Sequence, residues 1–260
     1  MLSNSNIGVI RERRKPKLAD AFYHWFTTVS AATPALLEQA YRLRYQVYCV
    51  ENSYENPGQH PSGYEKDEFD VRSVHTLLFE RQSGAAAGTA RLILPNRIAL
   101  EKSFPIQRIC KYPLLADRGH FTAARPAEIS RFAVSKEFRQ MTPDSFLPDW
   151  RDSFLADRRI VMPYITLGLM NGIIRMCIEQ GITDLFAVME PALLRLLSRF
   201  GIYFRPIGPL VDYHGMRQPC HADIESLLTR VRKERSEVWE VITDCGKLLD
   251  RYSRTFPLCS

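Results

Sequence analysis

The stretch VHTLLFERQSGAAAGTARLILP, residues 74–95, decides the fold class. Two apolar runs, VHTLLFE (74–80) and AAAGTARLILP (85–95), flank the turn-forming RQSG, which predicts a hairpin and therefore antiparallel pairing. Downstream, AEISRFAV (127–134) reads as a third strand. ITLGLMNGIIRMCIEQG (165–181) reads as a helix ending at Gly181, and the strand TDLFAVM (183–189) follows it. Pro191 opens a further helix, PALLRLLSRFG, which Gly201 stops. IYFRPIGPLVDYHG resumes strand character, and 222–252 is charge-rich and largely helical. Upstream, Thr33-Pro34 supplies an N-cap and a first-turn proline for PALLEQAYRLRYQVY. Its Leu36, Ala40, Leu43 and Val47 form an apolar stripe, while Arg44 and Tyr48, four apart, share a face. The order helix, hairpin, strand, helix, strand, helix, strand predicts an α/β (α+β) domain: a mixed, mostly antiparallel sheet flanked by helices.

Around that core, residues 1–20 read as a loose basic arm and 21–260 as a single domain. Two stretches, 96–125 and 141–163, are proline-bearing insertions, each either a lid or docking loop or a solvated connector. A content of 45% hydrophobic residues excludes disorder, and no apolar run is long enough for a membrane span. The six cysteines form no CxxC pair, as expected of buried thiols in a reducing compartment, and the charged N-terminus shows no secretory signal. A soluble, cytoplasmic protein is expected. The 35 basic against 29 acidic residues give a net charge of +6, which favours an anionic partner.

Chemistry concentrates in three places. YEKDEFD sets Glu65, Asp67, Glu68 and Asp70 on a loop entering a strand, either as a solvated acidic loop or as carboxylates that hold an ammonium or steer a proton. Arg91 and Arg131 interrupt apolar strands, so each must meet a carboxylate. Glu128 and Arg131 are three apart, which on a regular strand means opposite faces, and only a bulge can realign them. His214, Cys220 and His221 make a poor zinc set, and no metal is expected. GxSxG, GxxxxGK[ST] and GxGxxG motifs are absent, and the basic cluster Arg11–Lys17 comes without a nucleic-acid-binding signature, so no nucleic-acid partner is expected.

The ordered series LRYQVYCVE, YEKDEFD, GTARLILP and EISRFAV resembles the motif series of acyl-homoserine lactone synthases. Those enzymes have a GNAT-like acyltransferase fold and join an acyl chain from acyl carrier protein to S-adenosylmethionine. By that resemblance Arg44, Tyr48 and Tyr54 take the places of the family's N-terminal Arg, Phe and Trp. Glu65, Asp67 and Asp70 match its acidic triplet, Arg91 its strand arginine, and Glu128 with Arg131 its Glu-Arg pair. A longer likeness, through SVHTLLFE, EISRFAVSKEFR, AVMEPALLRLLSRFGIYFRPIGP and VDYHG, is to the acyltransferases associated with PEP-CTERM and exosortase systems. That group is similar to both the lactone synthases and the N-acyl amino acid synthases. The tyrosines at 48 and 54 argue against S-adenosylmethionine as acceptor.

The resemblance implies an N-acyltransferase that moves a fatty acyl chain from acyl carrier protein to the amine of an amino acid or related small molecule. The alternatives are a lactone synthase and, in another class, a non-catalytic nucleic-acid-binding regulator. Glu65, Asp67 and Asp70 are expected to hold the acceptor, with Glu128 or one of these accepting its proton through water. Arg91 and Arg131 would fix the carboxylates or grip an acceptor carboxylate bidentately. Backbone N–H groups near Phe132, Ala133 and Val134 would stabilise the oxyanion. No bound cofactor is expected, because the glycine-free FAVSKEFRQMTPDS is a poor cradle for the pyrophosphate of acyl-CoA. The donor is then acyl-phosphopantetheine on acyl carrier protein, docked on Lys136, Arg139, Arg158 and Arg159. A lipid product would also bring peripheral contact with membrane.

Overall fold

The computed structural model describes residues 17–117, 119, 125–141 and 161–250. Helix α1 (Leu18–Trp25) leads into strand β1 (Phe26–Ser30) and helix α2 (Pro34–Tyr45). Thr33 caps α2 by accepting from the Leu36 N–H, and the helix runs on as a π turn over Gln46–Glu51. The hairpin follows as β2 (Ser73–Glu80) and β3 (Ala86–Ile93). Next come the short α3 (Ile106–Ile109), β4 (Pro126–Val134) and the short α4 (Lys136–Gln140). Helix α5 (Met162–Gln180), β5 (Asp184–Met189) and α6 (Pro191–Arg199) form the second half. The chain continues through β6 (Arg205–Pro206), β7 (Val211–Asp212) and β8 (Met216–Asp223) to α7 (Ile224–Glu234) and α8 (Ser236–Ile242).

The strands form one sheet in the order β1-β2-β3-β4-β5-β8-β6, with β7 paired to β8. Every pairing is antiparallel except β4 with β5. The main core lies on the face that carries Ala90, Leu92 and Ile129, where α5 packs with α1, α7 and α8. Helix α5 is buried along most of its length, so its residues are apolar all round rather than on one stripe. It approaches β2 closely because Gly168 and Gly172 have no Cβ; one added there would collide with Leu78 and Thr76 respectively. On the opposite face α2 covers Leu77 and Ala133, and a smaller core gathers Phe69, Ile93, Phe104, Ile106 and Phe186.

The expected hairpin, third strand, central helix and following strand are all present. Four features differ from expectation. Leu18, Ala19 and Asp20, within the expected arm, already belong to a packed helix, with Ala19 and Phe22 buried against the core. Strand β1 carries three hydroxyl residues in FTTVS and gives no alternating apolar signal. Strand β8, MRQPCHAD, has a proline and a histidine among its buried positions yet lies between β5 and β6. Within the expected insertion 96–125, the described residues 96–117 are no open loop: Phe104, Ile106, Cys110 and Leu115 are buried and form the floor of the smaller core.

Candidate active site

Strands β4 and β5 pair in parallel from Pro126–Asp184 to Ile129–Ala187, and beyond that point they no longer pair with each other. The splay opens a cavity of about 220 Å³ whose apolar walls include Val47, Phe132, Val134, Met162, Val188, Met189 and Leu193. On its other edge β4 pairs with β3, but the register shifts: Thr89 faces Ala133 while Arg91 faces Ser130. Arg131 and Phe132 therefore stand opposite Ala90 alone, which is a β-bulge. Arg131 has φ of 49°, a left-handed conformation that costs a residue with a side chain about 1–3 kcal/mol. The bulge realigns Arg131 with Arg91, since both reach the same carboxylate, Asp67.

What holds the bulge is a set of interlocked ion pairs on the acidic loop. Arg91 binds Asp67 through both terminal nitrogens, at 2.6 and 2.9 Å, and its Nε donates to Ser130 Oγ at 2.8 Å. Arg131 grips Glu65 at 2.8 Å and touches Asp67 and Glu55, each at 3.2 Å, with its guanidinium stacked over the Tyr48 ring. Arg44, fully buried on α2, reaches Glu65 at 2.6 Å and takes Asp70 bidentately at 2.6 and 3.0 Å. Burial opposes ionisation of Glu65, but Arg44 and Arg131 overcome it and hold the carboxyl down at about 2. Asp70 is likewise held well below the usual carboxylate range against its burial, by His75, Arg44 and Arg91. His75 is itself kept neutral by burial, with its Nε2 3.4 Å from Asp70 Oδ1.

Glu128 lies on the same face in the opposite condition. It accepts a hydrogen bond from the Ile106 N–H at Oε2, 3.0 Å, and packs beside the smaller core. Burial raises its pKa to about 8, and that N–H and the more distant Arg91 and Arg131 only partly offset the effect. Glu128 forms no direct pair with Arg131, but it lines the cavity.

These contacts revise several expected roles. Glu65 and Asp70 are buried and their oxygens committed to arginine, so they position guanidinium groups instead of holding an acceptor. The forks of Arg91 and Arg131 are filled by protein carboxylates and have no room for a bidentate acceptor carboxylate. Phe132 and Val134 line the cavity with Tyr48 and Tyr54, whereas Ala133 packs under α2. Arg139 lines it too but is tied to Glu51 at 2.8 Å. Lys136 is exposed, and its backbone N–H donates to the same Glu51 carboxylate. Arg158 and Arg159 lie outside the described residues. Among the described residues no His, Cys, Asp or Glu group could hold a metal; His221 is bonded to Asp184 at 2.7 Å instead.

The sequence reading missed one wall of the site. The β7–β8 hairpin turns at His214 and Gly215, whose φ values of 55° and 91° reverse the chain, and brings Tyr213, His214 and Arg217 over the cavity. His214 Nε2 stands 3.5 Å from Glu55 Oε1, and Arg217 pairs with Glu190, the residue that precedes α6. The one signal for this wall was the polar string DYHGMR between two short strands.

Residues 43–147, which carry the acidic loop, the bulge and Glu128, match the sequence profile of the acetyltransferase (GNAT) domain family. The fold is a GNAT fold. No curated protein matches the sequence. Among solved structures, the GNAT fold of this chain is similar to TofI, captured with an inhibitor and MTA: TM-score 0.55, 20% identity, 82% of this chain and 99% of that one. It is also similar to FeeM, an N-acyl amino acid synthase from uncultured soil microbes: TM-score 0.53, 17% identity, 79% and 93% coverage. BjaI, a CoA-dependent acyl-homoserine lactone synthase, aligns with TM-score 0.50, 21% identity and coverage of 85% and 88%. At such identities the likeness shows the fold, and the domain match makes the chain an acyltransferase.

Proposed function

We propose that the protein is an N-acyltransferase that takes a fatty acyl group from acyl carrier protein and places it on the amine of an amino acid or related small molecule. The observation that carries this reading is Glu128: a carboxyl on the cavity wall with a pKa raised to about 8, the value a base needs to deprotonate an ammonium near neutral pH. Glu128, directly or through a water, takes the amine proton; the freed lone pair attacks the thioester carbonyl, the C–N bond forms and the C–S bond breaks. The thiolate of phosphopantetheine leaves and recovers a proton. Ser135 N–H donates to Ala87 on β3, so by the alternation of the ladder the Val134 N–H faces the open edge of the splay. There it is available to the developing oxyanion. The apolar wall from Phe132 to Leu193 suits the acyl chain.

The donor choice rests on the end of β4. The N–H that would meet a pyrophosphate there, Lys136, is already held by both oxygens of Glu51, at 3.0 and 2.9 Å, and no glycine follows. A carrier-protein thioester needs no such cradle. No described helix is long and apolar enough to cross a membrane, and the reading includes a cytoplasmic enzyme that meets membrane only through its lipid product. Kinship with PEP-CTERM and exosortase-associated acyltransferases belongs to the same proposal. Mass spectrometry of lipid extracts from a host expressing the protein tests it. A new N-acyl amino acid is the expected result, an acyl lactone would move the acceptor to S-adenosylmethionine, and no new lipid would overturn the reading.

A further inference from the structure

We infer that Arg217 anchors the carboxylate of the acceptor, so that the amine substrate is an α-amino acid or another compound with a free carboxylate beside its amine. The inference deepens the N-acyltransfer reading and rests on it. Among the described residues three arginines line the cavity, and the other two are committed to carboxylates of the protein. Arg131 is held by Glu65, Glu55 and Asp67, and Arg139 by the nearly buried Glu51. Arg217 differs in its partner. Its ion pair is with Glu190, whose side chain is 51% exposed and caps nothing on α6, so water can take over that carboxylate at small cost. The Arg217 side chain is 13% exposed, and its guanidinium donates to the His214 carbonyl at 2.9 Å and lies 5.8 Å from the centre of the Tyr54 ring. It is thus fixed in place while its counter-ion is exchangeable, which is the condition for a carboxylate-recognition site.

Complementary charge lies behind the hairpin wall and not on the cavity lining itself. Glu55 and Asp67 are the two carboxylates of the network that keep a solvent-reachable portion, 22% and 25%. Glu55 touches His214, which lines the cavity three residues from Arg217, and the carboxyl on the cavity wall facing the same space is Glu128. A zwitterion laid across it puts its ammonium toward Glu55 and Glu128 and its carboxylate on Arg217 in place of Glu190. An amine without a carboxylate fills only half of that site.

The test compares free α-amino acids with their carboxamides as acceptors, using the full chain, an acyl-carrier-protein thioester and thiol release as the readout. Wild type is expected to prefer the free acid by about tenfold or more in kcat/KM, the scale of one charge-assisted contact. Arg217→Gln should abolish that preference by raising KM for the acid far more than KM for the amide, and Arg217→Lys should restore part of the preference. Glu190→Gln, which removes the competing carboxylate, should lower KM for the acid, an effect that a merely structural arginine would not produce. An acid-to-amide ratio unchanged in Arg217→Gln, or a wild type indifferent to the carboxylate, overturns the inference and leaves N-acyltransfer standing. A wild type that acylates no amine from any thioester overturns both.

Discussion

Glu65 and Glu128 lie on the same face of the same sheet, both buried, and the protein drives them in opposite directions. Glu65 receives two guanidinium groups, from α2 and from the β4 bulge, and stays ionised at about 2. Glu128 receives one backbone N–H and an apolar floor, and its pKa rises to about 8. Equal burial therefore decides nothing by itself; the difference is whether a full opposite charge arrives within hydrogen-bond distance. The network around Glu65 is a frame, and Glu128 is the group left free to exchange a proton. The frame also explains the backbone strain at Arg131, since a residue clamped by three carboxylates can be held in a conformation that a free one would leave.

The sharpest way to break the contrast is to remove a cation from the frame. Arg131→Ala leaves Glu65 with one partner and the bulge with none, and should cost roughly 3–5 kcal/mol in urea denaturation. Arg91→Ala should behave similarly, because Asp67 loses its bidentate partner. Unchanged stability in either variant would reduce the network to a surface feature. On the other side, Glu128→Gln should lower kcat about 10²–10⁴-fold while the protein remains as stable or more so, since an amide suits the apolar corner. A stable Glu128→Gln protein with full turnover would remove Glu128 from the chemistry.

The two carboxyls also predict opposite slopes of stability with pH. Glu65 has a lowered folded-state pKa, so its contribution is full above the ordinary carboxyl value and is lost as pH falls toward about 2. Glu128 has a raised one, so its contribution is full below the ordinary value and is lost as pH rises to about 8. Thermal melts from pH 3 to 9 should thus show a maximum at mildly acidic pH. Glu128→Gln should flatten the alkaline side alone, and Glu65→Gln the acid side alone. If Glu128→Gln leaves the alkaline limb as steep as in wild type, the carboxyl is already ionised at neutral pH.

Most of the frame was legible in the sequence because arginines and glutamates stand out against apolar strands, and an unpaired charge cannot remain there. That argument finds Arg91, Arg131 and the acidic loop, and it raises the bulge as a condition. It cannot say which carboxylate each arginine takes. Of the two roles expected of Arg131, fixing the carboxylates or gripping an acceptor, the geometry fits the first, and Glu65 and Glu55 reach it from a loop whose path the strand pattern does not constrain. Strand β8 and the hairpin wall were lost for a related reason: Pro219, Cys220 and His221 break the apolar alternation, and the pairing with β5 that makes them a strand is non-local. Glu55 sits beside Asn56-Pro57-Gly58 and reads as turn chemistry until the fold brings Arg131 to it.

The smallest expected effect concerns the donor, and it sharpens the same distinction between charges committed inward and charges left for a partner. Arg139 is bound to Glu51 and contributes little to an outside surface, whereas Lys136 on the same short helix is exposed. An acidic carrier protein can pair with Lys136, and each exposed pair is worth about 0.2–1 kcal/mol, so the preference for carrier-protein over coenzyme A thioesters should be severalfold at low salt. It should shrink as salt rises, because exposed charges are screened within about 10 Å at 0.1 M ionic strength. Lys136→Glu should raise KM for carrier-protein thioesters and leave KM for coenzyme A thioesters unchanged, and the same comparison applies to Arg158→Glu and Arg159→Glu. Glu51→Gln is the converse variant: it loosens the hold on the Lys136 N–H and should narrow the gap by improving coenzyme A turnover. Equal kcat/KM for the two donors in wild type at low salt would show that the end of β4 accepts a pyrophosphate despite Glu51, and the carrier protein would lose its place as the preferred donor.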